Sequence, residues 1–237
     1  MGKLLKVYFM NIFKSKGYYI CLLINILLSI VLPYIANIVT KAPSTTVAKE
    51  IVGMLGVGIV EVIYITIFVC SDFTDGAAKN FISRGYTRRQ LLYAIFIASL
   101  IAVYVFFIVQ AGLLFVIYHN SLGFDNSTII YIVGALISTM AAVGFYVIVA
   151  NTAEKLGLAI AINIVFFSLV PSLILLLMVI LKTDINLSQY WVTSLISLVP
   201  SEGAKMMDLL KLSGITILYL VILFEVSNYI IKKKEVK

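Results

Sequence analysis

LLYAIFIASLIAVYVFFIVQAGLLFVIY, residues 91 to 118, is 28 consecutive residues without one charged side chain. A run that long and that apolar fits a helix crossing a bilayer, because about 20 residues rising about 1.5 Å each cover the hydrocarbon. Comparable runs fall at about 18–39, 51–70, 128–150, 157–181 and 213–231. Only a helix satisfies its own backbone hydrogen bonds in hydrocarbon, so the six runs predict six transmembrane helices. A β-barrel would show alternating segments of about ten residues, which the sequence does not contain.

Composition agrees. Of 237 residues, 62% are hydrophobic and 12% charged, against roughly a quarter charged in soluble domains. Six spans and their connections use nearly the whole chain, so residues 1–237 are expected to form one all-α integral membrane domain. The start, MGKLLKVYFMNIFKSKGYY, is basic, but the apolar run after it is of full span length, and no cleaved signal peptide is expected. Lys6 stands where a myristoylation signal needs Ser or Thr. Cys21 and Cys70 lie inside apolar runs and suggest no disulfide framework. The single histidine, His119, excludes chemistry that needs two histidines or a zinc site of paired Cys and His within this chain.

Lys and Arg placement predicts the orientation. With both ends cytosolic, the inside carries Lys3, Lys6, Lys14, Lys16, Lys79, Arg84, Arg88, Arg89, Lys155, Lys232, Lys233, Lys234 and Lys237, thirteen of eighteen bases. Lys41, Lys49, Lys182, Lys205 and Lys211 remain outside. The net charge of +7 therefore reads as membrane topology rather than nucleic-acid binding. Before the first span, residues 1–17 mix Leu4, Leu5, Val7, Tyr8, Ile12 and Phe13 with lysines, the pattern of an amphipathic helix at the cytosolic interface; a frayed basic terminus is the alternative. The outer connection, residues 182–212, carries Tyr190 and Trp191 as interfacial anchors and an apolar stretch up to Pro200. A helix dipping into the outer leaflet, a break at Pro200 and a second short helix from Ser201 are expected there.

Between the second and third runs lies SDFTDGAAKNFISRGYTRRQ, residues 71–90. At 100° per residue, Phe73, Ala77, Ala78, Phe81 and Ile82 share one half of a wheel, and Asp75, Gly76, Lys79, Asn80 and Ser83 the other. That predicts a surface helix of about three turns over 72–86. Asp72 or Ser71 is expected to cap it, Asp75 to complement its dipole and Gly85 to end it in the left-handed region. Thr87 and Gln90 then have the spacing of a capping box. A rigid contact surface and a plain interfacial anchor both fit.

Asp72-Phe73, Gly76, Lys79-Asn80, Ser83-Arg84-Gly85 and Arg88 resemble the D/E-F-x-x-G-x-x-K-N…S-x-G-x-x-R pattern at the end of the second span in bacterial ABC-2-type transporter permeases. The general plan is similar as well, over essentially the full chain. The resemblance implies that residues 72–86 are a coupling helix contacting a separate ABC ATPase, with Phe73 and Phe81 as hydrophobic anchors. Asp75, Lys79, Arg84 and Arg88 would be polar contacts or would fix the turn. It further implies two permease copies with two ATPase copies in a bacterial cell membrane, and export of amphipathic or antimicrobial peptides; ions and small hydrophobic drugs are the alternative cargo. No GxxxxGK[ST] loop occurs in the sequence, so ATP and Mg would belong to the partner and this chain would be a non-catalytic subunit.

Two carboxylates fall inside predicted spans, Glu61 in VGIVEVIYI and Glu225 in VILFEVSNY. A charge at mid-bilayer costs about 2.5–3.5 kcal/mol on insertion scales, so both are expected to face protein or water. They are candidates for the translocation pathway, with protonated or hydrogen-bonded packing as the alternative. Asn25, Gln110 and Asn163 suit interhelical hydrogen bonds. Gly53, Gly56 and Gly58 suit close packing, or, as the family resemblance implies, an outer gate; Pro33 and Pro171 suit kinks. A passive channel and an intramembrane protease are the competing classes; the absence of HExxH and GxSxG argues against the second.

Overall fold

The computed structural model describes residues 2–40, 58–74, 77–117, 125–153, 155–182, 186–201 and 203–235. The helices are α1 (Gly2–Lys14), α2 (Lys16–Thr40), α3 (Ile59–Thr74), α4 (Ala77–Ser83), α5 (Arg88–Ile117), α6 (Asn126–Ala153), α7 (Leu156–Ile164), α8 (Val170–Leu181) and α9 (Met206–Glu235). A π-turn, Val165–Leu169, joins α7 to α8, and two 3-10 turns, Leu187–Tyr190 and Leu195–Leu198, lie between α8 and α9. Among the described residues there is no strand.

Among the described residues, five segments are long and apolar enough to cross a membrane: Lys16–Ile35, Arg88–Ile117, Asn126–Ala153, Leu156–Leu181 and Met206–Ile230. The expected span at 51–70 is represented by α3, whose 16 residues begin at Ile59; residues 51–57, with Gly53 and Gly56, lie outside the described residues. The last span starts at Met206, earlier than the hydrophobic run at 213 suggested, because Asp208 accepts the Lys205 N–H at 3.1 Å and caps the helix there. The short helix expected from Ser201 is thus absorbed into α9's approach, and the expected dipping helix is a pair of 3-10 turns.

α6 is the central helix, packing on α3, α5, α7 and α9. Its sequence explains why: Gly134, Ala135, Ser138, Ala141, Ala142 and Gly144 are all buried, and small residues let neighbouring backbones approach. A Cβ at Gly134 would stand 3.4 Å from Leu212 Cδ2, and one at Gly144 would stand 3.0 Å from Leu220 Cδ2. Since 134 meets 212 and 144 meets 220, α6 and α9 run parallel. The chain must therefore return across the bundle between them, which α7, the π-turn and α8 accomplish.

α1 does not simply lie on a surface. Leu4, Tyr8 and Ile12 repeat every four residues, form one stripe, and are buried against the body, mainly on α5. α1 thereby joins the end of α3, α4 and the start of α5 at one end of the bundle, where Cys70 of α3 also reaches the Ala150 carbonyl of α6. At the other end Val192, Leu195 and Val199 pack with Tyr131 and Leu212 under the 3-10 turns.

Candidate functional site

The α4 corner is built by two local motifs sharing one residue. Gly85 has φ +88, the left-handed region that a Cβ disfavours. With it, the Tyr86 N–H donates to the Phe81 carbonyl at 3.2 Å and the Gly85 N–H to the Ile82 carbonyl at 2.9 Å. These are the paired bonds of a Schellman stop, and the Phe81 and Tyr86 rings, 6.2 Å apart, supply its apolar contact. The next residue begins α5: the Thr87 N–H donates to Gln90 Oε1 at 3.0 Å, and the Gln90 N–H to Thr87 Oγ1 at 3.3 Å. This is the expected capping box. Between stop and start there is no slack.

The corner's other end differs from expectation. Ser71 and Asp72 continue α3 instead of capping a new helix, and Ser71 Oγ–H donates back to the Phe68 carbonyl at 2.8 Å. Apolar continuity of α3 outweighs the capping preference. Asp72 is buried and faces the Tyr8 hydroxyl of α1. Burial, and then the Asp72 carboxylate, push that hydroxyl well above the ordinary phenol range, so it stays neutral. Phe73 lies in the last turn of α3, while Asp75 and Gly76 fall outside the described residues. The described surface helix is therefore two turns, seven residues, rather than about three turns.

Phe81 is partly exposed. Its ring packs on Tyr8 at 5.8 Å and on Tyr86, against the core. A helical wheel gives a face but not what covers it, and here Tyr8 of α1 covers part of it. Lys79, Asn80, Ile82, Ser83 and Arg84 are exposed, and Arg88 is partly so. From Phe81 the rings continue inward: Tyr8 to Phe68 at 6.1 Å, Phe68 to Tyr64 at 6.2 Å, Tyr64 to Phe106 at 5.5 Å, and Phe106 to Tyr18 at 4.8 Å. An unbroken aromatic row thus links the corner to the interior of α2, α3 and α5.

The row ends beside a buried polar cluster. Glu61 is 2% exposed and sits in the first turn of α3, not at mid-helix as the hydrophobic run suggested. Its carboxylate lies at the open start of α3, beside the backbone N–H groups of Gly58 and Glu61 and near the Asn25 amide of α2. Gly58 makes room for this: a Cβ there would stand 2.6 Å from Glu61 Oε2. Tyr146 of α6 lies within electrostatic reach of the carboxylate. One turn further on, Asn163 Nδ2 of α7 donates to Thr66 Oγ1 at 2.9 Å and to the Tyr146 carbonyl at 3.4 Å. α2, α3, α6 and α7 therefore meet around buried polar groups. Glu225 does not join them; it is exposed on α9.

No protein-family model, curated protein or solved structure matches the chain. Function is read from this geometry and from the sequence pattern. The sequence reading missed the small-residue face of α6 and the partner of Phe81. The first was visible as Gly134, Ser138, Ala142 and their neighbours at helical spacing; the second had no local signal, since Tyr8 is distant in the chain.

Proposed function

We propose that this chain is the transmembrane permease subunit of an ATP-driven ABC exporter of the ABC-2 type, working as two copies with two separate ATPase subunits. ATP and Mg would be held by the ATPase, and this chain supplies the pathway. The full plan is six spans, with α3 and the residues before it as the second, in a bacterial cell membrane with both termini cytoplasmic. α1 is the interfacial helix, and the α4 corner the coupling helix.

The observation that carries the reading is the slack-free corner, closed by Gly85 and Thr87–Gln90 and joined to the spans by the aromatic row. A loop that merely connects two spans needs none of this, whereas an element that transmits a partner's movement must be stiff. The gathering of Lys3, Lys6, Lys14, Lys79, Arg84, Arg88 and Arg89 at one end supports the cytosolic orientation. Amphipathic or antimicrobial peptides suit the apolar spans as cargo. The alternative, ions or small hydrophobic drugs, draws its support from the Glu61–Asn25–Tyr146 cluster.

The test is co-expression with a P-loop ABC ATPase, whose reading frame is expected beside that of this chain, followed by purification through a tag on the permease. Pairing is expected in the parent and lost in Ile82→Asp and Arg84→Glu, with membrane insertion intact. Failure of the parent to retain an ATPase, or unchanged pairing in both variants, overturns the assignment. If Glu61→Gln alters conduction or drug efflux while peptide export is unchanged, the alternative cargo holds.

A further inference from the structure

α1 has two apolar stripes, and the chain itself uses one. Opposite the buried Leu4, Tyr8 and Ile12, the side chains of Val7, Met10 and Phe13 are 38%, 44% and 39% exposed. At 100° per residue, Lys3, Lys6 and Lys14 fall on that same outward face, and all three are exposed. Water would leave the apolar groups unburied, and hydrocarbon would strand the ammonium groups. The boundary of headgroups and acyl chains suits both, with apolar side chains sinking and lysines snorkelling to the phosphates. Residues 1–49 contain no Asp or Glu, and Asp72, which acts on Tyr8, is buried. An anionic surface outside the chain would supply a counter-charge for the lysines.

We propose that the outward face of α1 binds the headgroups of acidic phospholipids, and that this docking sets the position of α4 through Tyr8. Tyr8 is the mechanical link: its ring touches Phe68 of α3 and Phe81 of α4, and its hydroxyl faces Asp72. Displacing α1 by a lipid surface therefore displaces the ring against which α4 is seated. The proposal rests on the reading of α1 and α4 as elements of one membrane surface. It makes the corner presented to the ATPase dependent on lipid composition.

The full chain is reconstituted in nanodiscs of phosphatidylcholine alone or mixed with phosphatidylglycerol, and backbone hydrogen exchange is followed in α1 and α4. Exchange in both helices is expected to slow with phosphatidylglycerol, and the slowing to shrink at high salt. Native mass spectrometry should show retained phosphatidylglycerol falling about fivefold for each of Lys3→Gln, Lys6→Gln and Lys14→Gln. Tyr8→Leu should keep the α1 response and lose the α4 response; Tyr8→Phe, which keeps the ring, should retain both. Equal exchange in the two lipid compositions, or an unaltered response in the triple Lys→Gln variant, overturns the lipid site. An α4 response that survives Tyr8→Leu overturns the link. An equal effect of soluble glycerophosphoglycerol on phosphatidylcholine discs would assign the site to free phosphate and overturn the lipid assignment. None of these readouts contains an ATPase, so failure of ATPase pairing is a separate result.

Discussion

The indole N–H of Trp191 donates to the carbonyl oxygen of Phe166 at 3.0 Å, across 25 residues of chain, while the two rings stack at 5.8 Å. The bond fills a vacancy made by Pro171. In the π-turn the Val170 N–H donates to the Val165 carbonyl, and the next bond in that pattern, to Phe166, would come from residue 171, which as proline has no N–H. Trp191 →Phe keeps the stacked ring and removes the donor, at an expected cost of about 1–2 kcal/mol in unfolding free energy. In a Pro171→Ala background the same change should cost less than half as much. Unfolding in detergent micelles as a double-mutant cycle measures this, and additive costs would disprove the substitution of one donor for the other.

Gly58 and Glu61 should be coupled in the same way. Gly58→Ala puts a methyl where Glu61 Oε2 stands, expels the carboxylate from the helix start, and is expected to destabilise by about 1–3 kcal/mol. In Glu61→Ala the space is free, so adding Gly58→Ala should change little. Thermal unfolding of the two single variants and the double variant checks this.

At the corner, Gly85→Ala is expected to cost about 1–2 kcal/mol, the strain of a Cβ in the left-handed region. Gly85→Pro should cost more, because proline cannot hold φ +88 and also loses the N–H that bonds Ile82. The direct readout is amide exchange at Tyr86, whose N–H closes the turn on Phe81. It should accelerate in both variants while amides in the middle of α5 stay protected.

Gly144→Val fills the notch that receives Leu220, whose Cδ2 would lie 3.0 Å from a Cβ there. A loss of about 1–3 kcal/mol is expected from overpacking, with partial recovery on adding Leu220→Ala. Gly144→Ala should be much milder, since the contacting atom is the end of a flexible side chain. Melting temperatures of the four proteins decide it.

What the sequence made legible was local or periodic. Gly85, Thr87 and Gln90 act within six residues of one another, so their turn could be read directly and its bonds are present. The long apolar runs likewise predicted helices of spanning length. What was not legible depends on distant chain. Phe81 reads as a surface residue in the sequence, and Tyr8 of α1 covers part of its ring. Asp72 looked like a cap, but α3 runs through it. Glu61 looked central in a run of apolar residues, yet its carboxylate lies at the start of α3, because hydropathy does not register where helical hydrogen bonding begins. The 3-10 turns after α8 owe their position to Trp191 and Tyr219, the latter donating to the Tyr190 carbonyl at 2.7 Å, and neither partner is near in sequence.

The notches at Gly134 and Gly144 are ten residues apart, about 15 Å along α6. They act as two detents that index α9: sliding one helix past the other would unseat Leu212 and Leu220 at the same moment. α6 and α9 consequently travel as a single spar. α8 has no such registration, since none of its side chains is buried and its neighbours are the π-turn and the first 3-10 turn. Among the described residues the bundle thus divides into a keyed beam, α6 with α9, and an arm, α8, that no such notch keys to it.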